Sequence, residues 1–305
     1  VSTAQALRVE DLNHVERELL RMRARESGSS VRATTLNLVA FAGNDEHLNR
    51  TVDALQLIGG SRPLRAIVTV PGDGATSAEV SSTCWRNVSG QEVRSEQIVV
   101  TARPVAMPSA VVSLLIPDLP TFLLWNGDLG DRRELLLGLA HEATRLILDS
   151  DECGLKTVVE ASSLSVAVTD LAWARLTPWR ESLASLTDSR DGLQLLKRAM
   201  GVEVLGPSNE AALVAGWLRS RMGRQLGLQH DRERKALDSI RVDCGKHDLT
   251  VERTGHGDLG RAVCGDASEH AVLLPRLDWA TLLGAQLDRL GSDQIFEQAL
   301  AAAGE

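Results

Sequence analysis

The sequence predicts an α/β domain with a mostly parallel or mixed sheet, followed by an α+β domain with an antiparallel sheet. Three observations carry this. A strand–helix–strand run spans residues 33–70, which is the unit of a parallel sheet. Apolar strand segments continue to alternate with helical ones as far as residue 150. Past residue 236, strand segments near 237–243, 247–253, 260–264 and 271–274 follow one another across short turns, which requires antiparallel pairing. The expected division is 1–152 and 153–305, and 305 residues suffice for two cores.

The elements follow in order. Leu12, Val15, Leu19, Leu20 and Met22 share one face of a helix over 11–26, which Ser27-Gly28-Ser29-Ser30 stops. Residues 33–41, rich in apolar and β-branched side chains, form a strand. Asn44 or Asp45 caps a helix through Leu48, Val52, Leu55 and Ile58, and Gly59-Gly60 ends it. Strands follow at 64–70, 79–86 and 95–101. A Pro-rich joint at Pro104 and Pro108 leads to a short helix over 109–115. Pro117-Asp118-Leu119-Pro120 is a rigid turn, because each Pro fixes φ and biases the residue before it toward extended backbone. A buried strand at 121–125, a helix near 131–142 and a strand at 144–149 complete the first domain. In the second, a helix covers 155–162. Thr177-Pro178-Trp179-Arg180-Glu181 opens another, with Thr as the cap and Pro in the first position. A strand at 202–205 and a helix from 209 to 221 precede the four antiparallel strands, and helices at 278–289 and 292–302 end the chain.

Composition narrows the function classes. The net charge of -8 disfavours a nucleic-acid binder, which needs a basic surface for phosphates. No apolar run approaches the roughly 18 residues of a membrane span. The N-terminus shows no basic segment followed by an apolar one. With four cysteines and no C-x-x-C pair, this points to the cytoplasm. Cys84, Cys153, Cys244 and Cys264 read as small buried hydrophobes, with a redox pair of Cys244 and Cys264 on neighbouring strands as the alternative. Tyr is absent while Trp occurs six times, and Trp is enriched at interface hot spots.

The catalytic signatures fail on context. Gly255-His256-Gly257-Asp258-Leu259-Gly260 matches G-x-G-x-x-G, but Arg261-Ala262-Val263-Cys264 after it reads as a strand where a dinucleotide site needs a helix. A hairpin loop explains the glycines. His141-Glu142-Ala143-Thr144-Arg145 lacks the second His of a zinc helix. Residues 71–77 lack the Lys of a P-loop, and no G-x-S-x-G elbow occurs. No cofactor and no metal are expected.

Two constellations remain. Asp149 and Ser150 sit where a buried strand ends, the place where open α/β sheets hold ligands, and helix capping is the other reading. Arg62 and Arg65 flank a strand start, where they suit a phosphate or carboxylate or an ordinary ion pair. Together these four residues describe a sugar-phosphate-binding enzyme as an alternative function. The densest segment is Asp170–Arg180, with Trp173, Arg175, Trp179 and Arg180 in a short span. Trp and Arg anchor protein interfaces, and a packed hinge is the competing reading.

The run DLAWARLTPWRE from Asp170 to Glu181 resembles the signature of the glucose-6-phosphate dehydrogenase assembly proteins, the OpcA family. SAVVSLLIPDLPTFLLW from Ser109, RLILDS from Arg145 and SRPLRAIVTV from Ser61 resemble it too, in the same order. The chain departs at Gly60-Ser61-Arg62-Pro63, where members often have His-Pro, and at Leu124, where they often have a second Trp. The resemblance implies a non-catalytic partner of glucose-6-phosphate dehydrogenase in the oxidative pentose phosphate pathway, acting as assembly factor or allosteric activator. Trp173, Arg175, Trp179 and Arg180 are then the residues expected to contact the enzyme or to shape the contact surface.

Overall fold

The computed structural model describes every residue except 1, 4–5, 26–30, 33, 87–91, 232–234, 256, 267 and 305. The expected stop at residues 27–30 lies outside the described residues. The chain opens with β1 (Ser2–Thr3), β2 (Leu7–Val9), α1 (Val15–Arg25) and β3 (Val31–Arg32). Next come β4 (Leu36–Ala42), α2 (Asp45–Gly59), β5 (Leu64–Pro71), β6 (Ser77–Arg86), β7 (Glu92–Ala102) and α3 (Met107–Val112). They are followed by β8 (Thr121–Asn126), α4 (Arg133–Ala140), β9 (Arg145–Leu148), α5 (Ser150–Cys153), α6 (Leu155–Ala161) and β10 (Ala167–Asp170). The second half holds α7 (Leu171–Arg175), α8 (Thr177–Leu186), α9 (Arg190–Leu196), β11 (Gly201–Leu205), α10 (Ser208–Met222) and β12 (Gly227–His230). It ends with β13 (Ser239–Asp243), β14 (Asp248–Arg253), β15 (Leu259–Cys264), β16 (Ser268–Leu273), α11 (Trp279–Gln286) and α12 (Gln294–Ala303).

The chain forms two compact units. The first comprises Val1–Thr169 and Trp279–Gly291, so α11 returns to it. The second comprises Asp170–Asp278 and Ser292–Glu305. Where the sequence suggests a division between 152 and 153, the structure adds α6 and β10 before the first unit ends.

Among the described residues, the first unit holds a ten-stranded mixed sheet, and its main path runs β1-β6-β7-β5-β4-β8-β9-β10. β4 pairs in parallel with β5 and β8, β5 with β7, and β8 with β9. β6 is antiparallel to β7. With the β6 insertion set aside, β4, β5, β7, β8, β9 and β10 count as strands 1 to 6. Their spatial order is then 3-2-1-4-5-6, the doubly wound order of dinucleotide-binding folds, reversing between β4 and β8. Burial explains the strands' composition. β4 (LNLVAFA), β8 (TFLLWN) and β9 (RLIL) are buried throughout, as expected for parallel strands covered on both faces. α2 begins where the Asn44 side chain accepts a hydrogen bond from the His47 amide at 2.8 Å. It buries Ala54, Leu55 and Ile58.

The second unit is built on a six-stranded sheet in the order β12-β11-β13-β14-β15-β16. From β11 through β13 to β16 the pairing is antiparallel, as expected. The β11–β12 pair is parallel, which makes this sheet mixed and corrects the wholly antiparallel expectation. The reason is α10, which carries the chain back across the sheet before β12 begins. Val202, Val204, Ile240, Val242, Leu249, Val251 and Ala262 alternate toward the core. α10 and α12 pack in direct contact at Gly216, where an added Cβ would lie 2.1 Å from the Ala299 carbonyl oxygen.

Candidate functional site

The Trp- and Arg-rich segment forms α7 and α8 of the second unit. Asp170 starts α7 by accepting a hydrogen bond from the Ala172 amide at 2.9 Å. Thr177 does not cap α8 as its sequence suggests. Leu176 stays in the right-handed helical region, so the chain passes from α7 into α8 without an extended cap residue. The Thr177 hydroxyl instead accepts from Arg180 Nη2 at 3.0 Å. Pro178 is tolerated in this first turn because its missing N–H has no partner to lose there.

Both tryptophans are core residues, each 3% exposed. Trp173 Nε1 donates to Asp293 Oδ2 at 3.1 Å, and its ring meets Phe296 with centroids 5.7 Å apart. The Arg180 guanidinium lies 3.6 Å from the Trp173 ring centroid, a cation–π stack. Arg175 Nε donates to Glu210 Oε1 at 3.0 Å, so the buried Glu210 carboxylate is paired. Trp179 packs from α8 toward β14 and β15, with the Arg253 guanidinium 5.5 Å from its ring centroid. Burial, with Arg276 nearby, lowers the Arg253 pKa from its usual value. All four expected residues stand on α7 and α8, with Arg180 stacked on Trp173, Arg175 paired with Glu210 and Trp179 beside Arg253. The two arginines are half-buried and the two tryptophans buried.

The other four candidates do not form one site. Arg65 stands at the amino end of β5, in register with Asn37 of β4 and Glu96 of β7, and Asn37 is in turn in register with Thr121 of β8. Asp149 and Ser150 follow the carboxyl end of β9. Because β5, β4, β8 and β9 are mutually parallel, the two sets lie at opposite ends of the sheet. Arg65 is buried. It bonds Glu96 Oε2 through Nε and Nη2, at 3.0 and 2.8 Å, and also pairs with Glu16. The carboxylates raise its pKa against the opposing effect of burial, the largest single cause. Arg62 makes a two-pronged pair with Asp288, with Nε to Oδ1 at 2.9 Å. Asp149 caps α5 through the Asp151 amide at 3.2 Å, and Ser150 is buried beside it.

The carboxyl end of the parallel sheet holds a cluster that sequence reasoning missed. Glu152 accepts from the Gly127 amide at 3.1 Å and pairs with Arg50, and His47 Nε2 lies 3.9 Å from it. Arg50 also donates to Asn126 Oδ1 at 3.3 Å and lies 4.7 Å from the Trp279 ring centroid. His47 and Arg50 stand three residues apart on α2, which was the available signal. Their partners come from distant parts of the chain.

The remaining motifs keep structural roles. Gly255 (φ +75°) and Gly257 lie in the β14–β15 hairpin connection, and His256 falls outside the described residues. His141 is an exposed helix end beside Glu142. Among the described residues, no group of His, Cys, Asp and Glu is arranged for a metal ion, and no helix is long and apolar enough to cross a membrane.

Fold and site together define a two-unit α/β protein with dinucleotide-fold strand order, in which the most distinctive sequence segment holds a buried Trp173 stacked under Arg180. Two family models match it, the glucose-6-phosphate dehydrogenase subunit N-terminal domain over residues 56–163 and the corresponding C-terminal domain over residues 166–300. The chain belongs to the OpcA family of glucose-6-phosphate dehydrogenase assembly proteins. It is 27% identical over 216 residues to a protein of Nostoc punctiforme named "Putative OxPP cycle protein OpcA", covering 67% of this chain and 46% of that protein. A protein of the same name from Synechococcus elongatus is 28% identical over 185 residues, covering 55% of this chain and 42% of that protein. The chain thus spans less than half the length of these curated relatives. Among solved structures, the aldose-aldose oxidoreductase of Caulobacter crescentus is similar in fold, with a TM-score of 0.50 at 12% identity, covering 88% of this chain and 95% of that one.

Proposed function

We propose that this chain is a non-catalytic accessory protein that binds glucose-6-phosphate dehydrogenase and activates it by favouring its active assembly. The observation that carries this reading is the match of both halves of the chain to models named for subunit domains of that enzyme. An accessory protein needs no reacting group. It must bind one conformation or oligomer of the enzyme more tightly than another, because only differential affinity shifts an equilibrium. In this reading Trp173 and Trp179 shape the contact surface from below, and Arg175 and Arg180 reach its margin.

The test is to mix the chain with the dehydrogenase of the same organism. Light scattering gives the mass of any complex, and NADPH production across substrate concentrations gives the kinetics. A stable complex with raised activity is expected. Two folded proteins that neither associate nor change the kinetics would overturn the proposal.

A further inference from the structure

The strand order of the first unit implies a dinucleotide, held outside the carboxyl ends of the strands where the order reverses. In this chain that point lies between β4 and β8. The residues present do not fit the group. Gly43 is the sole glycine of the β4–α2 turn. If it stood first in G-x-G-x-x-G, the other two glycines would be Asp45 and Leu48. If it stood second, they would be Phe41 and Glu46. Asp45 and Glu46 in the first turn of α2 set carboxylates where a pyrophosphate needs free amides and positive potential.

The space is also filled. The His47 ring lies between the loops that leave β4 and β8. A Cβ added at Gly127 would sit 2.6 Å from His47 Cε1, and one at Gly43 would sit 3.6 Å from His47 Nδ1. Beneath it, register partners Phe41 and Trp125 stack with centroids 4.1 Å apart at 15°, both buried. The charged groups of the crevice are paired internally, while His47 Nδ1 and Arg50 Nε are buried without a hydrogen-bond partner. The Gly127 amide, of the kind that greets a ligand phosphate, donates to Glu152 at 3.1 Å, and the Arg50 guanidinium pairs with the same carboxylate.

We infer that this crevice is closed from within, with Glu152 in the place of a ligand's anionic group and the His47 ring in the space its backbone would take, so that the chain binds neither NAD nor NADP there. The inference goes beyond the partner proposal and does not rest on it, since a chain with a closed crevice is equally compatible with other functions.

The first measurement is thermal unfolding and Trp fluorescence of the unaltered chain titrated with NAD and with NADP. Neither is expected to change. The second is Glu152→Ala, which should lower Tm by roughly 2–4 °C and empty an anion site. Its Tm should then rise with added formate or phosphate, relative to chloride at equal ionic strength, while that of the unaltered chain does not. A saturable shift of the unaltered chain with either dinucleotide overturns the inference. So does a Glu152→Ala chain as stable as the parent and indifferent to formate and phosphate. If that variant does not fold, Glu152→Gln carries the comparison, since it keeps an acceptor for Gly127 and removes the charge facing Arg50. A lowered Tm is expected for it, and an unchanged Tm overturns the inference.

Discussion

Trp173 and the start of α12 are held by one carboxylate: Asp293 Oδ2 accepts from the Trp173 indole at 3.1 Å, while Oδ1 accepts from the Ile295 and Phe296 amides at 3.0 Å. Sequence positions 120 residues apart are thereby fixed to each other at a helix cap.

This coupling is measurable. Trp173→Phe keeps an aromatic ring beneath Arg180 and removes the hydrogen bond, and it should destabilise the chain by about 1 kcal/mol. Asp293→Ala removes the cap as well and should cost about 1–2 kcal/mol. In urea unfolding the double variant should lose less than the sum of the two, because they share one interaction.

Trp179→Ala should destabilise by roughly 3–5 kcal/mol, since it empties a buried site between α8 and the sheet. Its effect on the dehydrogenase therefore has to be read alongside circular dichroism. Arg180→Ala is the milder variant and should lose about 0.5–2 kcal/mol of cation–π stabilisation. If the segment shapes the partner surface, Arg180→Ala reduces activation while remaining folded. Full activation by folded Arg180→Ala would remove that residue from the proposed surface.

Gly216→Ala should destabilise by about 1–3 kcal/mol or more, because the new methyl group meets the α12 backbone, which cannot rotate out of the way. A Tm equal to that of the parent would contradict the close approach of α10 and α12.

Glu96 accepts from Arg65 and pairs with Arg23. Glu96→Ala strips the main partner from buried Arg65 and should cost about 3–5 kcal/mol in denaturant unfolding. A near-neutral result would mean that the Arg65–Glu16 pair suffices.

Burial, with a smaller contribution from Asp248, pushes the Cys244 thiol up to about 11, and burial raises Cys264 as well. The raised value favours the protonated thiol, so the thiolate appears only as pH rises toward about 11. At pH 8, disulfide reagents should label half-buried Cys84 first and leave Cys244 and Cys264 slow until the chain is denatured. Cys244 follows β13 and Cys264 ends β15, so β14 lies between them and they do not stand on neighbouring strands, contrary to expectation. Fast labelling of Cys244 at pH 8 would favour a redox role.

Much of the architecture was legible in order. The strands that form β4, β5, β8 and β9 announce themselves because parallel strands buried on both faces need continuous apolar runs. α2 and α10 announce themselves through helical periodicity. β10 and β12 did not, being four residues each and, in β12, half exposed on alternate positions. α7 was hidden because its five residues are too short to show a period. The Trp173–Arg180 segment stood out in the sequence by its density of Trp and Arg, yet no local signal distinguishes a buried Trp from an exposed one.

The sequence by itself determined the order of the main apolar strands and periodic helices and the family, since these depend on local composition and spacing. Tertiary structure alone decided which charges meet. Arg65 faces Glu96 because β5 and β7 pair in parallel, and Arg50 faces Glu152 because α2 and the end of β9 converge at the carboxyl edge of the sheet. It also set Arg65 and Asp149 at opposite ends of that sheet. Strand direction fixes such distances, and pairing between residues far apart in the chain leaves no mark on the residues between them.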